Sequence, residues 1–398
     1  MTANVLTLLV TASLILLLGV PAIANARSWR ATITPLASII GSGFLIIGPV
    51  LDHAFGAHAP FAMAGLCLIA YLFGAAIRQN ILDREDGPSD VPAIKGVETA
   101  ASWALSFAYI ISVCYYLNLF GAFAVRLTPA GGEDNARLVT TVLFLLILAV
   151  GWTRGFGALE RLEQVSVTLK LAIIGGLLMG MSLHFADVAT GDGLMYHSPN
   201  LGGWQAITLL FGLIVTVQGF ETSRYLGDEY DSRMRIRSMR YAQWLSSAIY
   251  MAYILLMSYT FRPEDIKLEE TAIIDMMAQV APILPVLLIA AALSAQFSAA
   301  IADTGGCGGL VNELTRKRVS PRLSYALIAG LGIALTWTAD IFAIISFASR
   351  AFAFYYALQA LGAAVRAWTF RKSVLFTGFY GALALLGFAI TLFGQAIE

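Results

Sequence analysis

The chain has 398 residues, of which 58% are apolar and only 13% are charged, and its mean hydropathy is +0.76. A water-soluble globular protein carries about a quarter charged residues, so the composition excludes that class and indicates an integral membrane protein. The formal net charge is zero, which gives no overall attraction to nucleic acid. The three cysteines are scattered without metal-ligand spacing, so we expect no metal centre and no cofactor.

Apolar runs long enough to cross a hydrocarbon core of about 30 Å occur about twelve times along the chain. The first run has no Lys or Arg before it and many runs follow it, so we interpret it as a retained helix rather than a cleaved signal. The predicted spans are 3–25, 32–51, 59–81, 98–125, 137–153, 162–183, 203–226, 240–261, 281–310, 322–338, 341–368 and 374–396. We therefore expect one all-α membrane domain over residues 1–398.

Basic residues indicate which loops face the cytoplasm. Loops 224–240 and 313–322 are rich in Lys and Arg, whereas loops 52–58 and 184–202 contain neither. Cytoplasmic loops carry an excess of Lys and Arg, so the first two loops are predicted to be cytoplasmic and the other two to face outside. We expect the protein in a plasma membrane, the inner membrane of a bacterium.

The span 32–51 has Gly41, Ser42 and Gly43 at its centre, where strong helix formers would be expected. Unpaired backbone amides cost several kcal/mol each in lipid, so a helix break is tolerated only where it is buried in protein or faces a cavity. The alternative is a small-residue face that lets another helix pack closely. If the helix does break, the break implies a binding site.

A second anomaly in the other half of the chain favours the break. In the span 203–226, Gly219 and the ionisable Glu221 follow a long apolar stretch. Interrupted or polar helices at corresponding places of two halves are the best sequence pointer to a transporter binding site. Five spans lie in residues 31–183 and five in residues 202–368, and an odd number in each half predicts repeats of inverted topology.

Three segments resemble the amino acid-polyamine-organocation (APC) superfamily, whose members share the LeuT-type fold. The segment IIGSGFLIIGP (39–49) resembles the glycine-interrupted first helix of that family. GALERLEQVSVTLKLAIIGGLL (157–178) is similar to its fifth helix, and VQGFETSRYLGDEYDSRMRIRSMRYA (217–242) to its sixth helix and cytoplasmic exit. The resemblance implies two inverted repeats of five helices, with an extra N-terminal helix (1–30) and one C-terminal helix (373–398).

The two predicted breaks suggest the chemistry of the solute. Unwinding around Gly41 would free backbone N–H groups at the start of a half-helix, which suits a carboxylate. Unwinding from Thr216 to Gly219 would expose carbonyl groups that can hold an ammonium. Both features fit a small amino-acid-like solute. The residues predicted to contact it are Ile40, Gly41, Ser42, Gly43, Tyr116, Thr216, Gln218, Gly219, Phe220 and Glu221.

Lys170 is predicted to couple transport to an ion. It lies in the middle of the span 162–183, where an ammonium facing lipid would cost at least about 2.5 kcal/mol, so its side chain should face the bundle interior. The resemblance implies that a lysine at this place in proton-coupled relatives occupies the position that sodium takes in sodium-coupled ones. Alternating exposure would let such a lysine bind and release a proton. We expect protons as the coupling ion, with sodium as the alternative.

The span 281–310 adds Ser298 and Asp303 as candidates for ion coupling. If Lys170 points at Ser298, the ammonium replaces sodium. If Lys170 pairs with Asp303, the two form a structural ion pair or part of a proton relay. Arg350 is a further ionisable residue inside a span, and it could close an outer gate, contact an acidic substrate or stack on neighbouring aromatic rings.

Enzyme signatures are missing from the sequence, which has no H-E-x-x-H motif, nucleophile elbow or Walker loop. Without an ATP site, transport would be driven by an ion gradient or by exchange. The sequence therefore predicts a secondary active transporter rather than an enzyme, with the substrate, the coupling ion and the lipid bilayer as its partners. The alternatives are a sodium-coupled symporter or exchanger of another small organic solute, and a membrane sensor that keeps the fold without transport.

Overall fold

The computed structural model describes residues 2–41, 43–83, 91–129, 131–153, 160–191, 193–227, 229–371 and 373–397, with the backbone alone for 160–165. Every regular element within these residues is a helix, which confirms the all-α class. The α-helices are α1 (Thr2–Gly19), α2 (Pro21–Ala24), α3 (Arg27–Ile39), α4 (Gly43–Phe55), α5 (Ala59–Asp83), α6 (Pro92–Val125), α7 (Glu133–Thr153), α8 (Glu160–Thr190), α9 (Gly203–Gly212), α10 (Ser232–Met257), α11 (Ala272–Val280), α12 (Leu284–Leu314), α13 (Pro321–Thr338), α14 (Ile341–Thr369) and α15 (Val374–Phe393). Short 3-10 helices lie at Gly56–His58, Ile214–Val217, Phe220–Tyr225 and Pro263–Asp265.

Eight helical stretches of the described residues are long and apolar enough to cross a membrane. They are Thr2–Gly19, Gly43–Asp83, Pro92–Val125, Glu133–Thr153, Ser166–Thr190, Leu284–Leu314, Ile341–Thr369 and Val374–Phe393. Two of the remaining predicted spans are divided by breaks, and the first turns of α10 and α13 carry Arg residues. The structure therefore supports a multi-pass membrane protein, whereas the arrangement of twelve spans remains a prediction.

The helices differ in how deeply they are buried. Most side chains of α6 and α14 are buried, and these two helices pack against each other and, with α12, form the centre of the molecule. Most side chains of α1, α7 and α15 are not buried. An apolar exposed surface on such helices suits contact with lipid. The polar chemistry of the chain is therefore expected near α6, α12 and α14.

The extra N-terminal helix α1 packs against α8 through small residues. A side chain at Gly176 would collide with the hydroxyl of Thr11, and a Cβ at Gly180 would lie 3.1 Å from the Thr7 hydroxyl. Small residues allow two membrane helices to approach closely. Since α8 also carries Lys170, α1 supports the helix that holds this lysine.

The start of α10 is fixed by a capping aspartate in the loop after the second break. The Asp231 carboxylate accepts a hydrogen bond from the N–H of Met234 at 2.8 Å, as a helix N-cap does. This hydrogen bond lowers the pKa of Asp231, so the carboxylate is ionised at neutral pH. The cap separates the irregular segment before residue 231 from the regular helix that follows it.

Candidate functional site

The first predicted helix break is present in the structure. Helix α3 ends at Ile39, and Ile40 has φ −84° and ψ 59°, outside the helical region. The chain becomes helical again at Gly43, where α4 begins. Ser42 lies outside the described residues. The interruption of the span 32–51 is therefore confirmed, and it leaves the last carbonyl groups of α3 without helical N–H partners.

The second predicted break is also present. Helix α9 ends at Gly212 and is followed by two short 3-10 helices with Gln218 and Gly219 between them. Gly219 has φ +116°, a conformation that side chains rarely adopt. A Cβ at this position would lie 2.5 Å from the carbonyl carbon of Ser38. Glycine is required here for both its conformation and its small size.

The two breaks contact each other. A Cβ at Gly43 would lie 2.6 Å from Cα of Thr216, so the backbones of the two broken helices are in direct contact. The Tyr250 hydroxyl of α10 lies 3.0 Å from the carbonyl oxygen of Ile39 and 2.6 Å from that of Thr216. A hydroxyl donates one hydrogen bond at a time, so Tyr250 can donate to the carbonyl of only one break at any moment. The breaks therefore form one structural unit.

Ser349 of α14 supplies hydrogen bonds that the second break has lost. Its hydroxyl donates to the carbonyl oxygen of Gly212 at 2.7 Å and accepts from the N–H of Val215 at 3.0 Å. All three residues are buried. A buried backbone group without a partner is costly, so this single hydroxyl makes the break tolerable inside the bundle.

Lys170 reaches the first break from α8. Its side chain is 6% exposed, and its ammonium donates a hydrogen bond to the carbonyl oxygen of Ala37 at 2.7 Å. Ala37 belongs to the last turn of α3, where carbonyl groups lack helical partners and the helix dipole is negative. The position therefore favours a cation. The described residues contain no ion pair between Lys170 and Asp303; the ammonium of Lys170 binds the broken helix, and the carboxylate of Asp303 binds Ser112.

A cavity of about 600 Å³ lies between α3, α6, α8, α12 and the segment that follows the second break. Its lining extends to Glu313 and Leu314, immediately before the basic loop 316–322. The structure places seven of the predicted site residues together in its wall. They are Tyr116, Lys170, Gln218, Gly219, Glu221, Ser298 and Asp303.

Two carboxylates of the cavity wall are held by neutral donors. Glu221 Oε2 accepts hydrogen bonds from the N–H of Gly219 at 3.0 Å and from the hydroxyl of Tyr356 at 2.8 Å. Asp303 Oδ2 accepts a hydrogen bond from the hydroxyl of Ser112. Within the described residues, neither carboxylate forms an ion pair with Lys or Arg. The cavity wall therefore carries two carboxylates together with the cationic side chains of Lys170 and Arg224.

Sequence reasoning missed three of these polar side chains, Tyr109, Ser112 and Tyr356. Tyr109 lines the cavity, Ser112 binds Asp303, and Tyr356 binds Glu221. A signal was available for two of them, because residues 109, 112 and 116 have the spacing of one face of a helix. Tyr356 also lies on one helix face with the polar residues Ser349 and Gln359, but an aromatic residue in a membrane span indicates packing first.

The other predicted site residues lie outside this cavity wall. Ile40, Gly43, Thr216 and Phe220 are buried around the breaks, and Gly41 lines a much smaller neighbouring cavity. The side chain of Arg350 donates through Nε to the carbonyl oxygen of Thr391 at 2.7 Å, between α14 and α15. It lines a separate pocket with the chain segment after α15, so the structure does not bring it to the main cavity. Its role in a gate remains a prediction.

Polar contacts tie the helices together near Arg224, which lines the cavity. The Arg224 guanidinium donates to Gln359 Oε1, and Asn80 donates to the same oxygen at 2.8 Å. Arg366 of α14 pairs with Glu98 of α6 at 2.7 Å. These contacts join α5, α6 and α14 to the segment after the second break. Movement of that segment would therefore require these contacts to rearrange.

The sequence comparisons agree with the geometry. Residues 21–394 match the sequence model of a family described as APC superfamily transporter. A protein of Aquifex aeolicus (strain VF5), which is described as an uncharacterized protein, is 39% identical over 390 residues, covering 95% of this chain and 93% of the relative. The matched region contains both breaks, Lys170 and every helix that lines the cavity. The resemblance indicated by the three sequence segments is thus confirmed, and the chain belongs to the APC superfamily of transporters.

Proposed function

We propose that this protein is a secondary active transporter of the plasma membrane that moves a small amino-acid-like organic solute with protons as the coupling ion. Three features support the proposal. The chain belongs to a transporter family, its helices are long and apolar enough to cross a membrane, and a cavity of about 600 Å³ adjoins its two interrupted helices. Cavities at discontinuous helices are the usual substrate sites of such transporters.

The observation that carries the proton-coupling proposal is the contact of Lys170 with the first break. Its ammonium lies 2.7 Å from the carbonyl oxygen of Ala37, at the negative end of the half-helix α3 and in the cavity wall. Loss of a proton from Lys170 would weaken this charge-assisted hydrogen bond. Helix α3 would then be held less firmly against α8. In this way the binding and release of a proton by Lys170 would change access to the cavity.

The polar groups of the site support a zwitterionic solute. The carboxylates of Glu221 and Asp303 would attract its ammonium group, because neither is paired with a cation in the described residues. The N–H groups at the start of α4 would receive its carboxylate at the positive end of that half-helix. They lie outside the wall of the main cavity, so this contact requires movement of the broken helix. Tyr109 and Tyr116 provide aromatic walls for its apolar part.

Uptake into proteoliposomes tests this function. The purified protein would be given a mixed panel of labelled amino acids, with proton and sodium gradients imposed separately. We expect wild-type uptake driven by the proton gradient, and uptake at the level of empty liposomes for Lys170→Ala. The matched control is Lys95→Ala, because Lys95 is an exposed lysine near the start of α6, away from the cavity.

Each other outcome points to a specific alternative. Sodium-driven uptake would move the coupling site to Ser298 and its neighbours, and it would contradict the role of Lys170 in proton coupling. Solute binding without uptake or counterflow would indicate a sensor. Proton-driven uptake that survives in Lys170→Ala would show that the coupling proton is bound elsewhere.

A further inference from the structure

A second group of ionisable residues lies away from Lys170, at the far end of α4. It contains Asp52 of α4, His197 of the segment between α8 and α9, and Tyr253 of α10. None of these residues lines the main cavity. The proposed function assigns no role to this group.

The residues 193–202, here called the outer loop, are fixed to the end of α4 by backbone hydrogen bonds. The carbonyl oxygen of His197 accepts from the N–H of Ala57 at 3.0 Å. The N–H groups of Asn200 and Leu201 donate to the carbonyl oxygen of Ala54 at 3.1 and 3.0 Å. The contact is close, so lifting the outer loop would expose the end of α4.

Beneath the outer loop, Asp52 is only 2% exposed, and neither carboxylate oxygen has a hydrogen-bond partner among the described residues. The nearest basic group is Nε2 of His197, 3.8 Å from Asp52 Oδ1, and this nitrogen is also buried without a hydrogen bond. The Tyr253 hydroxyl is buried and unpaired as well, and it lies against Gly48, one turn before Asp52 on α4. Buried polar atoms without partners are rare in proteins, so three such residues together require an explanation.

Other charged residues do not account for Asp52. Helix α4 packs against α5, α10, α11, the 3-10 helix Gly56–His58 and the 3-10 helix Ile214–Val217. Besides Tyr253, the charged and titratable side chains on these elements and beside Asp52 are His53, His58, Cys67, Tyr71, Arg78, Asp83, Arg233, Arg235, Arg237, Arg240, Tyr241, Tyr250 and Asp275. Arg78 and Asp83 lie in the last two turns of α5, and the four arginines lie in the first turns of α10, well before Tyr253. Asp275 pairs with Arg126.

A buried carboxylate is stable if it is protonated or if it is paired with a cation. Here either arrangement requires one proton, held by Asp52 itself or by His197 as an imidazolium. We propose that Asp52 and His197 form a proton-binding site in which one shared proton holds the outer loop closed over the end of α4. Loss of this proton would leave a buried charge without a partner, and the loop would open to hydrate it.

The pH dependence follows from counting protons in the closed and open states. In water the pKa of Asp is about 3.9 and that of His about 6.5, so the open pair carries one proton between these values and none above them. The closed pair holds one proton throughout this range and beyond 6.5. Opening of the outer loop therefore releases a proton only above about pH 6.5. In that range the equilibrium constant for opening rises about tenfold for each pH unit.

Hydrogen exchange of the full-length protein in detergent or nanodiscs measures this opening. The reporters are the amides of Asn200 and Leu201, which are hydrogen-bonded to α4 when the loop is closed. After correction for the intrinsic chemical rate, we expect wild-type opening to be constant from pH 5 to about pH 6.5 and then to rise up to about tenfold per pH unit. A wild-type profile that stays flat up to pH 9 would overturn the proposal.

Two substitutions are expected to change the profile in different ways. With His197→Gln, the closed state keeps the proton on Asp52 while the open carboxylate loses it above about pH 4, so opening should already rise below pH 6. With Asp52→Asn, only His197 titrates. Burial lowers the pKa of His197, so opening should increase as the pH falls below about 6.5, opposite to wild type.

The matched control is Asp187→Asn, because Asp187 is an exposed carboxylate of α8, in the part of the chain that precedes the outer loop. It should keep the wild-type profile. A wild-type slope in Asp52→Asn would also contradict the proposal. If that variant does not fold, the wild-type and His197→Gln profiles decide the question. The exchange readout is independent of transport, so failure of the Lys170 experiment would leave this test unaffected.

Discussion

Gly219 is one of the residues on which the contact between the two broken helices depends. Its φ of +116° belongs to a region that residues with a Cβ avoid, and its backbone lies against Ser38 and Ile39 of the first break. The sequence showed a glycine beside an ionisable residue. The structure adds the steric reason, which is that the backbone of another helix occupies the space of a side chain.

The substitution Gly219→Ala should destabilise the protein strongly. A Cβ would lie 2.5 Å from the carbonyl carbon of Ser38 and 2.7 Å from the nitrogen of Ile39, and neither backbone atom can move without disturbing the first break. The strained backbone alone costs about 1–3 kcal/mol. Thermal unfolding of the purified protein, followed by intrinsic fluorescence, would measure the loss as a lower midpoint.

Gly65→Ala is the control for this substitution. Gly65 lies within α5, and a Cβ there would have no neighbouring heavy atom within 4 Å. Alanine is a better helix former than glycine by about 1 kcal/mol, so the midpoint should stay the same or rise slightly. Equal unfolding midpoints for the two variants would contradict the steric account of Gly219.

The second broken helix depends on α14 as well as on the first break. Between Gly212 and Val215 the helical hydrogen bonds are lost, and the hydroxyl of Ser349 replaces them. A sequence alone does not show which distant side chain will serve a broken backbone. For this reason the break was predictable from its glycine and its polar residues, whereas the two 3-10 helices Ile214–Val217 and Phe220–Tyr225 and the support by Ser349 were not.

Ser349→Ala should therefore loosen this element. The substitution leaves the buried N–H of Val215 and carbonyl of Gly212 unpaired, at a cost of about 1–3 kcal/mol. The free energy of unfolding should fall by this amount, and the amide of Val215 should exchange faster. Ser346→Ala, one turn earlier on α14, is the matched control, because its hydroxyl makes only a long contact of 3.4 Å to the carbonyl of Gly394. A larger effect at Ser346 would contradict the assignment.

The candidate site was partly accessible from the sequence for a physical reason. Lys170, Glu221 and Asp303 stand out because ionisable side chains are costly in an apolar span, and all three line the cavity. The contact of Lys170 with Ala37 was not accessible, because it is made to a backbone carbonyl and every residue has such a group. Tyr356 was missed because an aromatic residue in a membrane helix usually serves packing alone.

The molecule as a whole has two unlike ends. The main cavity extends to Glu313 and Leu314, next to the basic loop that the distribution of Lys and Arg predicts to be cytoplasmic. The outer loop covers the C-terminal end of α4, and it belongs to the segment 184–202, which contains no Lys or Arg. The distribution of Lys and Arg therefore predicts an inward-facing cavity.

Cysteine labelling tests this orientation. In a background with Cys67, Cys114 and Cys307 replaced by Ala, single reporters would be introduced as His58→Cys, Arg318→Cys or Glu313→Cys, all at exposed positions. A membrane-impermeant maleimide should label the residue 58 reporter in intact bacterial cells. It should label the reporters at 313 and 318 only in inside-out vesicles. The opposite labelling pattern would invert the predicted topology. Labelling of the residue 313 reporter in intact cells, with the residue 318 reporter still protected, would place the mouth of the cavity on the outer face and would contradict the inward-facing assignment.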